Sequence, residues 1–251
     1  MKAAVYGRYG SPDVVTVDDI PKPVPRDDEV LVRIHAATVG VVDSLARRGA
    51  PVYARVHFGL RRPRFAVLGC DFAGQIEAAG PAVARFAAGD QVFGTTAPRF
   101  GAHAQYACLS EQAAVAPKPA SLTYAEAAAL VDGTALCFLR DKANLQRGQT
   151  ILINGASGAV GSTAVHLAKH FGATVTGVCS GASTELARKL GAGTVIDYTA
   201  EDFTQTGAGQ PREPPTSRST TGLRPVSEWP GGGVHLLGSE YREEPECVGC
   251  C

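Results

Sequence analysis

The residues best suited to chemistry form a glycine-rich turn in the second half of the chain. An apolar run over 150–153 leads into this turn, and a helical pattern over 158–171 begins within it. Gly158 has no side chain, so the oxygens of a pyrophosphate could approach the backbone and accept hydrogen bonds from the amides at the helix N-terminus. Gly161 would let the helix pack closely against the strand.

Such a turn can also serve packing alone, without a ligand. The order of elements favours a nucleotide, because dinucleotide sites place their glycines between a strand and the helix that follows it. Small residues occupy the fingerprint positions at Ala156, Gly158 and Gly161. We therefore predict a dinucleotide site whose contacts are Gly155, Ser157, Gly158, Ala159, Val160 and Gly161.

The end of the second strand indicates which dinucleotide is bound. An NAD enzyme usually places an acid there, about 20 residues after the glycines, to hold the ribose 2′-hydroxyl. Here the strand ends in Val178, Cys179 and Ser180, and Ser183 and Arg188 follow. Without a carboxylate to repel a 2′-phosphate, NADPH is favoured over NADH. The two serines could instead simply cap the next helix.

Composition limits the classes of partner. The chain has 251 residues, 45% of them hydrophobic, and a formal net charge of zero, which favours neither nucleic acid nor an anionic membrane through long-range attraction. The segment Met1 to Ile20 carries acids and is typical of neither a signal nor a transit peptide, so we expect a cytoplasmic protein. Cys247, Cys250 and Cys251 crowd the end, but no second pair stands at zinc-site spacing, so no metal is predicted.

The elements around the turn predict an α/β protein of two domains. Residues 1–119 contain short strand-like runs separated by glycine and proline. From 120 to 205 helical and strand patterns alternate, which is typical of a partial doubly wound parallel sheet. The sequence predicts only three strands in this segment, whereas a complete nucleotide-binding domain of this kind has about six.

Residues 206–251 have a different character. Two adjacent prolines, a triple glycine and scattered charges show no sustained period, which predicts a disordered and non-native tail. The simplest hypothesis is a frameshift or premature end, which an intact longer reading frame in the coding DNA would support.

Four stretches together resemble the medium-chain dehydrogenase/reductase superfamily, over roughly residues 1 to 203. They are Arg47-Arg48-Gly49 after an expected strand, the motifs over 68–74 and 89–94, Gly133-Thr134-Ala135, and the glycine turn with 190–192 and 197–198. The resemblance implies a GroES-like β domain followed by a partial Rossmann domain, with the cofactor between them. A homodimer would be expected of a full-length member.

The resemblance is to the zinc-free, quinone oxidoreductase-like branch. The positions that match the catalytic zinc ligands of alcohol dehydrogenases are Gly40, Cys70 and Leu130, and one possible ligand cannot replace three. Cys70 is expected to be a small core residue, and Asp43 to be structural rather than a general base. Tyr53 is a weak candidate for the cleft.

The activity implied by the resemblance is zinc-independent hydride transfer from NADPH to a quinone or an α,β-unsaturated carbonyl. It places Thr134 near the nicotinamide and phosphates, Ser157 to Val160 at the pyrophosphate, Ser180 at the 2′-phosphate and Tyr198 at the adenine; ordinary strand-end packing is the competing interpretation of Tyr198. No catalytic residue is identified. The alternatives are a truncated, inactive fragment and a nucleotide-binding protein without turnover.

Overall fold

A computed structural model describes residues 1–130 and 133–201, together with the backbone of 224–226 and 234–237. The chain divides into two compact units, Met1–Val131 and Asp132–Cys251. The α/β class is confirmed, because the first unit is built on antiparallel strands and the second on a parallel sheet with helices.

The first unit is a strand-rich body. A hairpin of two strands precedes a five-stranded sheet in the order β6-β3-β4-β5-β7, in which every neighbouring pair is antiparallel. Alternating apolar residues of β3 and β4 form its core with those of β5. The strands are β1 (Lys2–Tyr6), β2 (Val15–Asp19), β3 (Glu29–Ala37), β4 (Asp71–Ala79), β5 (Gln91–Thr95), β6 (Tyr106–Ser110) and β7 (Val115–Pro117).

Two helices connect β3 to β4: α1 (Val41–Arg48) and the single turn α2 (Arg55–Phe58). The sequence interpretation that Arg47-Arg48-Gly49 follows a strand is wrong, because these residues end α1. Gly49 has φ of +61°, the left-handed conformation that terminates helices. Asp43 begins the helix by accepting the Gly40 N–H at 2.8 Å.

The last element of the first unit is α3 (Tyr124–Ala129). Thr123 and Glu126 form a capping box at its start. Ala127 and Ala128 pack on Ala73 of β4, so the helix belongs to the first unit. For this reason the two units divide later than the boundary after residue 119 that the sequence pattern predicts.

The second unit begins with α4 (Gly133–Leu136), which continues as a π-helical turn over Cys137–Lys142. Alternating strands and helices follow: β8 (Thr150–Asn154), α5 (Ala159–His170), β9 (Thr174–Cys179), α6 (Thr184–Leu190) and β10 (Thr194–Asp197). The strands β10, β9 and β8 are parallel neighbours, as the βαβαβ pattern predicts. Buried residues of α5, such as Ala164, Val165 and Ala168, pack on Ile151 and Ile153 of β8.

Two further strands lie in the region where the sequence pattern predicts no regular structure. They are β11 (Arg224–Val226) and β12 (Val234–Leu237). The strand β12 pairs parallel with β8, and β11 pairs antiparallel with β12. Pairing of this kind satisfies the amides that β8 would otherwise leave open. The remaining residues of 206–251, including the terminal cysteines, lie outside the described residues, so the tail's character stays a prediction.

Within the described parts of the chain, no helix is long and apolar enough to cross a membrane. The longest of the described helices, α5, has 12 residues.

Candidate functional site

The glycine turn joins the carboxyl end of β8 to the N-terminus of α5. Gly155 has φ of +73°, a conformation that side chains rarely adopt. The amides of Gly155 and Ala156 donate to the carbonyl of Val178 at 2.9 and 3.0 Å, which ties the turn to the end of β9. Gly158 is the residue before the first turn of α5 and has an extended backbone. The predicted strand–turn–helix is therefore present.

The two later glycines of the turn have different steric surroundings. A β-carbon on Gly161 would overlap the carbonyl oxygen of Gly155 and lie 2.8 Å from its carbonyl carbon, so close packing requires glycine there. A β-carbon on Gly158 would meet only that same oxygen, at 3.3 Å. That contact is tight but much milder than the overlap at Gly161, so packing restricts Gly158 less than it restricts Gly161.

The first turn of α5 supplies backbone donors. By helix geometry the N–H groups of Ala159, Val160 and Gly161 have no acceptor within the helix. Gly158 and Ala159 are exposed, Val160 is partly buried and Gly161 is buried, so the surface is open at the very start of α5. The hydroxyls of Ser162 and Thr163 both donate to the carbonyl of Ala159, at 2.9 and 3.3 Å. The turn thus offers backbone N–H groups to an anion, in agreement with the helix-dipole argument.

The turn after β9 contains the predicted 2′-phosphate contact. Ser180 directly follows β9, and its hydroxyl lies 3.5 Å from that of Ser183. Neither serine makes a side-chain capping hydrogen bond, although each precedes a helical turn. Both serines therefore occupy N-cap positions without a capping bond from the side chain, and their hydroxyls hydrogen-bond each other.

Sequence reasoning missed an acid beside this turn. Asp197 ends β10 and stands in register with Cys179 at the end of β9. A β-carbon on Gly181 would lie 3.3 Å from the carboxyl carbon of Asp197. Neighbouring parallel strands bring their carboxyl ends to one edge of the sheet, but the pairing of β10 with β9 that places Asp197 there is not contained in any local sequence pattern.

The carboxylate of Asp197 is held by several donors. The hydroxyl and amide of Thr199 donate to one of its oxygens at 2.6 and 2.9 Å, and the amide of Gly181 donates as well. The hydrogen bonds from the Thr199 side chain and backbone, followed by that from Gly181, lower the pKa of Asp197. Asp197 is therefore ionised at neutral pH and links the end of β10 to the turn after β9.

Tyr198 and Thr134 complete the predicted cofactor contacts, and both lie in the second unit. Tyr198 donates its amide to the carbonyl of Cys179 at 3.2 Å, while 56% of the residue is exposed. Because Tyr198 is more than half exposed, packing at the end of the strand is a weak explanation for its aromatic ring. Thr134 lies in α4, which packs against α5, so it belongs to the same layer as the helix that starts at the glycine turn.

Two residues for which the family resemblance predicts a structural role, Asp43 and Cys70, lie in the first unit. Asp43 is 4% exposed, and its second oxygen accepts the amide of Gly69 at 2.8 Å. The structural role predicted for Asp43 is confirmed, because both oxygens bind backbone amides. Cys70 is partly buried against a cluster of Tyr6, Ala46, Leu68 and Phe100, as a core residue would be.

The other two positions that match zinc ligands carry no donor side chain. Gly40 precedes α1, and Leu130 is largely exposed after α3. Across residues 1–130 and 133–201, no group of three or more His, Cys, Asp or Glu side chains could hold a metal. Tyr53 is about half exposed in the segment before α2. The structure assigns it no role.

Comparison with known proteins identifies both parts of the chain. Residues 26–120 match the alcohol dehydrogenase GroES-like domain. A 2-methylene-furan-3-one reductase from Solanum lycopersicum is 36% identical over 81% of this chain and 53% of its own length. The protein named NADPH-dependent alkenal/one oxidoreductase, chloroplastic, from Arabidopsis thaliana is 33% identical over 81% of this chain and 54% of its own length. The chain thus spans about half the length of these curated relatives.

A solved structure agrees with this relationship. The quinone oxidoreductase from Coxiella burnetii matches with a TM-score of 0.72 and 32% identity, over 81% of this chain and 64% of that one. The Arabidopsis relative is named as chloroplastic, so a cytoplasmic location for this chain stays a prediction. The sequence motifs, the two folds and these similarities agree: residues 26–120 form an alcohol dehydrogenase GroES-like domain, and the chain is similar to quinone oxidoreductases and related reductases of the medium-chain dehydrogenase/reductase type.

Proposed function

We propose that this chain is an NADPH-dependent oxidoreductase that transfers hydride to a quinone or an α,β-unsaturated carbonyl without zinc. The observation that supports the proposal most strongly is the glycine turn, where Gly158 and Ala159 are exposed at the start of α5 and packing restricts Gly158 less than Gly161. Relatives named as reductases of furanones and alkenals, and a quinone oxidoreductase of the same fold, support this substrate class.

The residues of the second unit would bind the cofactor in an extended form. The amides of Ala159, Val160 and Gly161 would donate to the pyrophosphate, with the Ser157 hydroxyl beside them. Tyr198 would contact the adenine, and Thr134 the nicotinamide side. Bound NADPH supplies the hydride, and the protein contributes mainly position and orientation.

The preference for NADPH rests on the turn after β9. The hydroxyls of Ser180 and Ser183 make no cap and can donate to a 2′-phosphate. Asp197 opposes this preference, since a carboxylate near the turn repels a phosphate. Its charge is partly compensated by the donors of Thr199 and Gly181, so we propose that NADPH is still preferred.

Zinc independence follows from the residue types at the matching positions. Gly40 has no side chain and Leu130 has an aliphatic one, so neither can donate to a metal. A catalytic zinc needs about three protein ligands. Without a Lewis acid to polarise an alcohol, an acceptor that needs only hydride and a proton is the better match.

A binding and turnover experiment tests the proposal. Calorimetry with NADPH and NADH on the folded chain should show binding, with NADPH the tighter ligand. NADPH absorbance followed with a panel of quinones and enones should then fall. Gly158→Ala should weaken binding by at least about tenfold, because its methyl group occupies the path of the pyrophosphate.

The matched control for this experiment is Gly193→Ala. A β-carbon on Gly193 would make only an ordinary contact, 3.8 Å from the carbonyl of Val175, so binding should be unchanged. A folded chain that shows no heat with either cofactor would refute the proposed site. Binding without turnover would refute the enzymatic part and favour the nucleotide-binding alternative. Failure to fold would favour the inactive-fragment alternative.

A further inference from the structure

Positive charge is concentrated in one stretch of the first unit. Residues 44–70, here called the basic segment, contain six arginines and a histidine and no Asp or Glu, although the whole chain has a formal net charge of zero. The segment contains α2 and most of α1. Charges separated by more than about 10 Å are largely screened in salt, so a nearby partner responds to this local charge and not to the neutral total.

Aliphatic side chains project into solvent from the same segment. Val52, Val56 and Leu60 are 74%, 79% and 71% exposed. A 3-10 turn over Val52–Ala54 leads directly into α2, so Val52 and Val56, four residues apart, lie on one side of this helical stretch. Leu60 follows Gly59, which ends the helix. Side chains lining a small-molecule pocket are mostly covered, whereas exposure this high is typical of convex surface.

The opposite side of the segment is firmly attached to the domain. Phe58 and Phe65 pack against the buried cluster that contains Phe100 and Tyr6. The Arg64 amide donates to the carbonyl of Phe58 at 2.6 Å, and the Tyr9 hydroxyl and the Arg55 guanidinium bind backbone carbonyls on either side of α2. Phe58 and Phe65 are thus turned inward, while Val52, Val56 and Leu60 are exposed.

Among the residues that the structure describes, the arginines at the end of the segment form no ion pair with a carboxylate. Arg61, Arg62 and Arg64 are all exposed. Over residues 1–130 and 133–201, the ion pairs that the structure forms involve other parts of the chain. Arg64 lies over the ring of Phe65, a contact that leaves its charge uncompensated.

We propose that the basic segment is a docking surface for an anionic phospholipid bilayer. Val52, Val56 and Leu60 enter the boundary between headgroups and acyl chains, and Arg61, Arg62 and Arg64 bind the lipid phosphates. Aliphatic insertion and clustered cations are the two contributions that together produce reversible interfacial binding. Single-stranded nucleic acid fits less well, because it is gripped by exposed aromatic rings, and the exposed apolar residues here are mainly aliphatic.

Vesicle sedimentation tests this surface on the whole chain. Binding is expected to vesicles of phosphatidylcholine with 30% phosphatidylglycerol, and not to phosphatidylcholine alone, and it should weaken as salt rises. Replacing three arginines together, R61Q/R62Q/R64Q, should weaken binding by about a hundredfold, since each contributes roughly fivefold near an anionic surface. V52S/V56S/L60S should also weaken it, with less dependence on salt.

The matched control is R26Q/R33Q/R99Q, which removes three exposed arginines from other parts of the first unit. It should bind vesicles as the unchanged chain does. Equal loss in this control would show that the basic segment has no special role, and circular dichroism of each variant separates such a loss from unfolding. Absence of vesicle binding, self-association that V52S/V56S/L60S abolishes, or preferential binding of an RNA oligonucleotide would each overturn the proposal.

Discussion

The carbonyl group of Gly155 lies against the α-carbon of Gly161, so that a β-carbon on Gly161 would overlap its oxygen. Gly161→Ala must therefore displace the start of α5 from the end of β8. Overpacking of this kind typically costs about 1–3 kcal/mol, so urea unfolding followed by circular dichroism should give a lower midpoint. Gly158→Ala, with a contact of 3.3 Å to the same oxygen, should lose much less stability. Equal losses in the two variants would contradict the steric difference.

This contrast shows what the sequence could predict and what it could not. The glycine spacing and the helix of 158–171 could be predicted from the sequence because both follow from local periodicity and backbone sterics. The nearness of Asp197 to the turn after β9 depends on the lateral order of strands, which no local pattern contains. The placement of α3 in the first unit likewise depends on Ala127 and Ala128 meeting Ala73 across a long stretch of chain. The strand β12 was missed because its pairing with β8 is also non-local.

Asp197 should influence the choice between cofactors. Asp197→Asn removes a negative charge next to the proposed 2′-phosphate contact at Ser180, while the amide oxygen can still accept from Thr199. We expect the ratio of NADPH to NADH affinity to rise by roughly threefold to tenfold, in the range of a screened charge at a partly exposed site. Calorimetric titration of both cofactors measures this ratio.

The matched control for Asp197 is Glu201→Gln, an exposed acid a few residues later. It should leave the ratio unchanged, because the structure shows no contact from its side chain to the turn after β9 among the described residues. An unchanged ratio in Asp197→Asn would show that the carboxylate only supports the turn and does not discriminate between the two cofactors.

Asp43 should be important for the stability of the first unit. Its two oxygens accept the amides of Gly40 and Gly69, each at 2.8 Å, in a site that is almost fully buried. Asp43→Ala leaves both amides without an acceptor, at a cost of about 2–4 kcal/mol in the free energy of unfolding. Asp43→Asn keeps an oxygen that can accept one of the two amides, so its loss of stability should be smaller than that of Asp43→Ala. Denaturant unfolding measures both, and a loss under about 0.5 kcal/mol in Asp43→Ala, as for an ordinary surface change, would contradict this role.

Ionisation of Tyr6 should lower the free energy of unfolding at alkaline pH. Burial, followed by the nearby Tyr9 and Asp43, raises the pKa of Tyr6 from 10.0 to about 12. Since the folded state holds this proton more tightly than the unfolded chain, the contribution to stability is complete below pH 10 and is lost as pH rises through about 12. The free energy of unfolding should therefore fall more steeply over this range in the unchanged chain than in Tyr6→Phe. Phenolate absorbance of the folded chain gives an independent check, because Tyr6→Phe should remove the titration near pH 12. A folded chain in which all tyrosines ionise together near pH 10 would rule out the buried environment assigned to Tyr6.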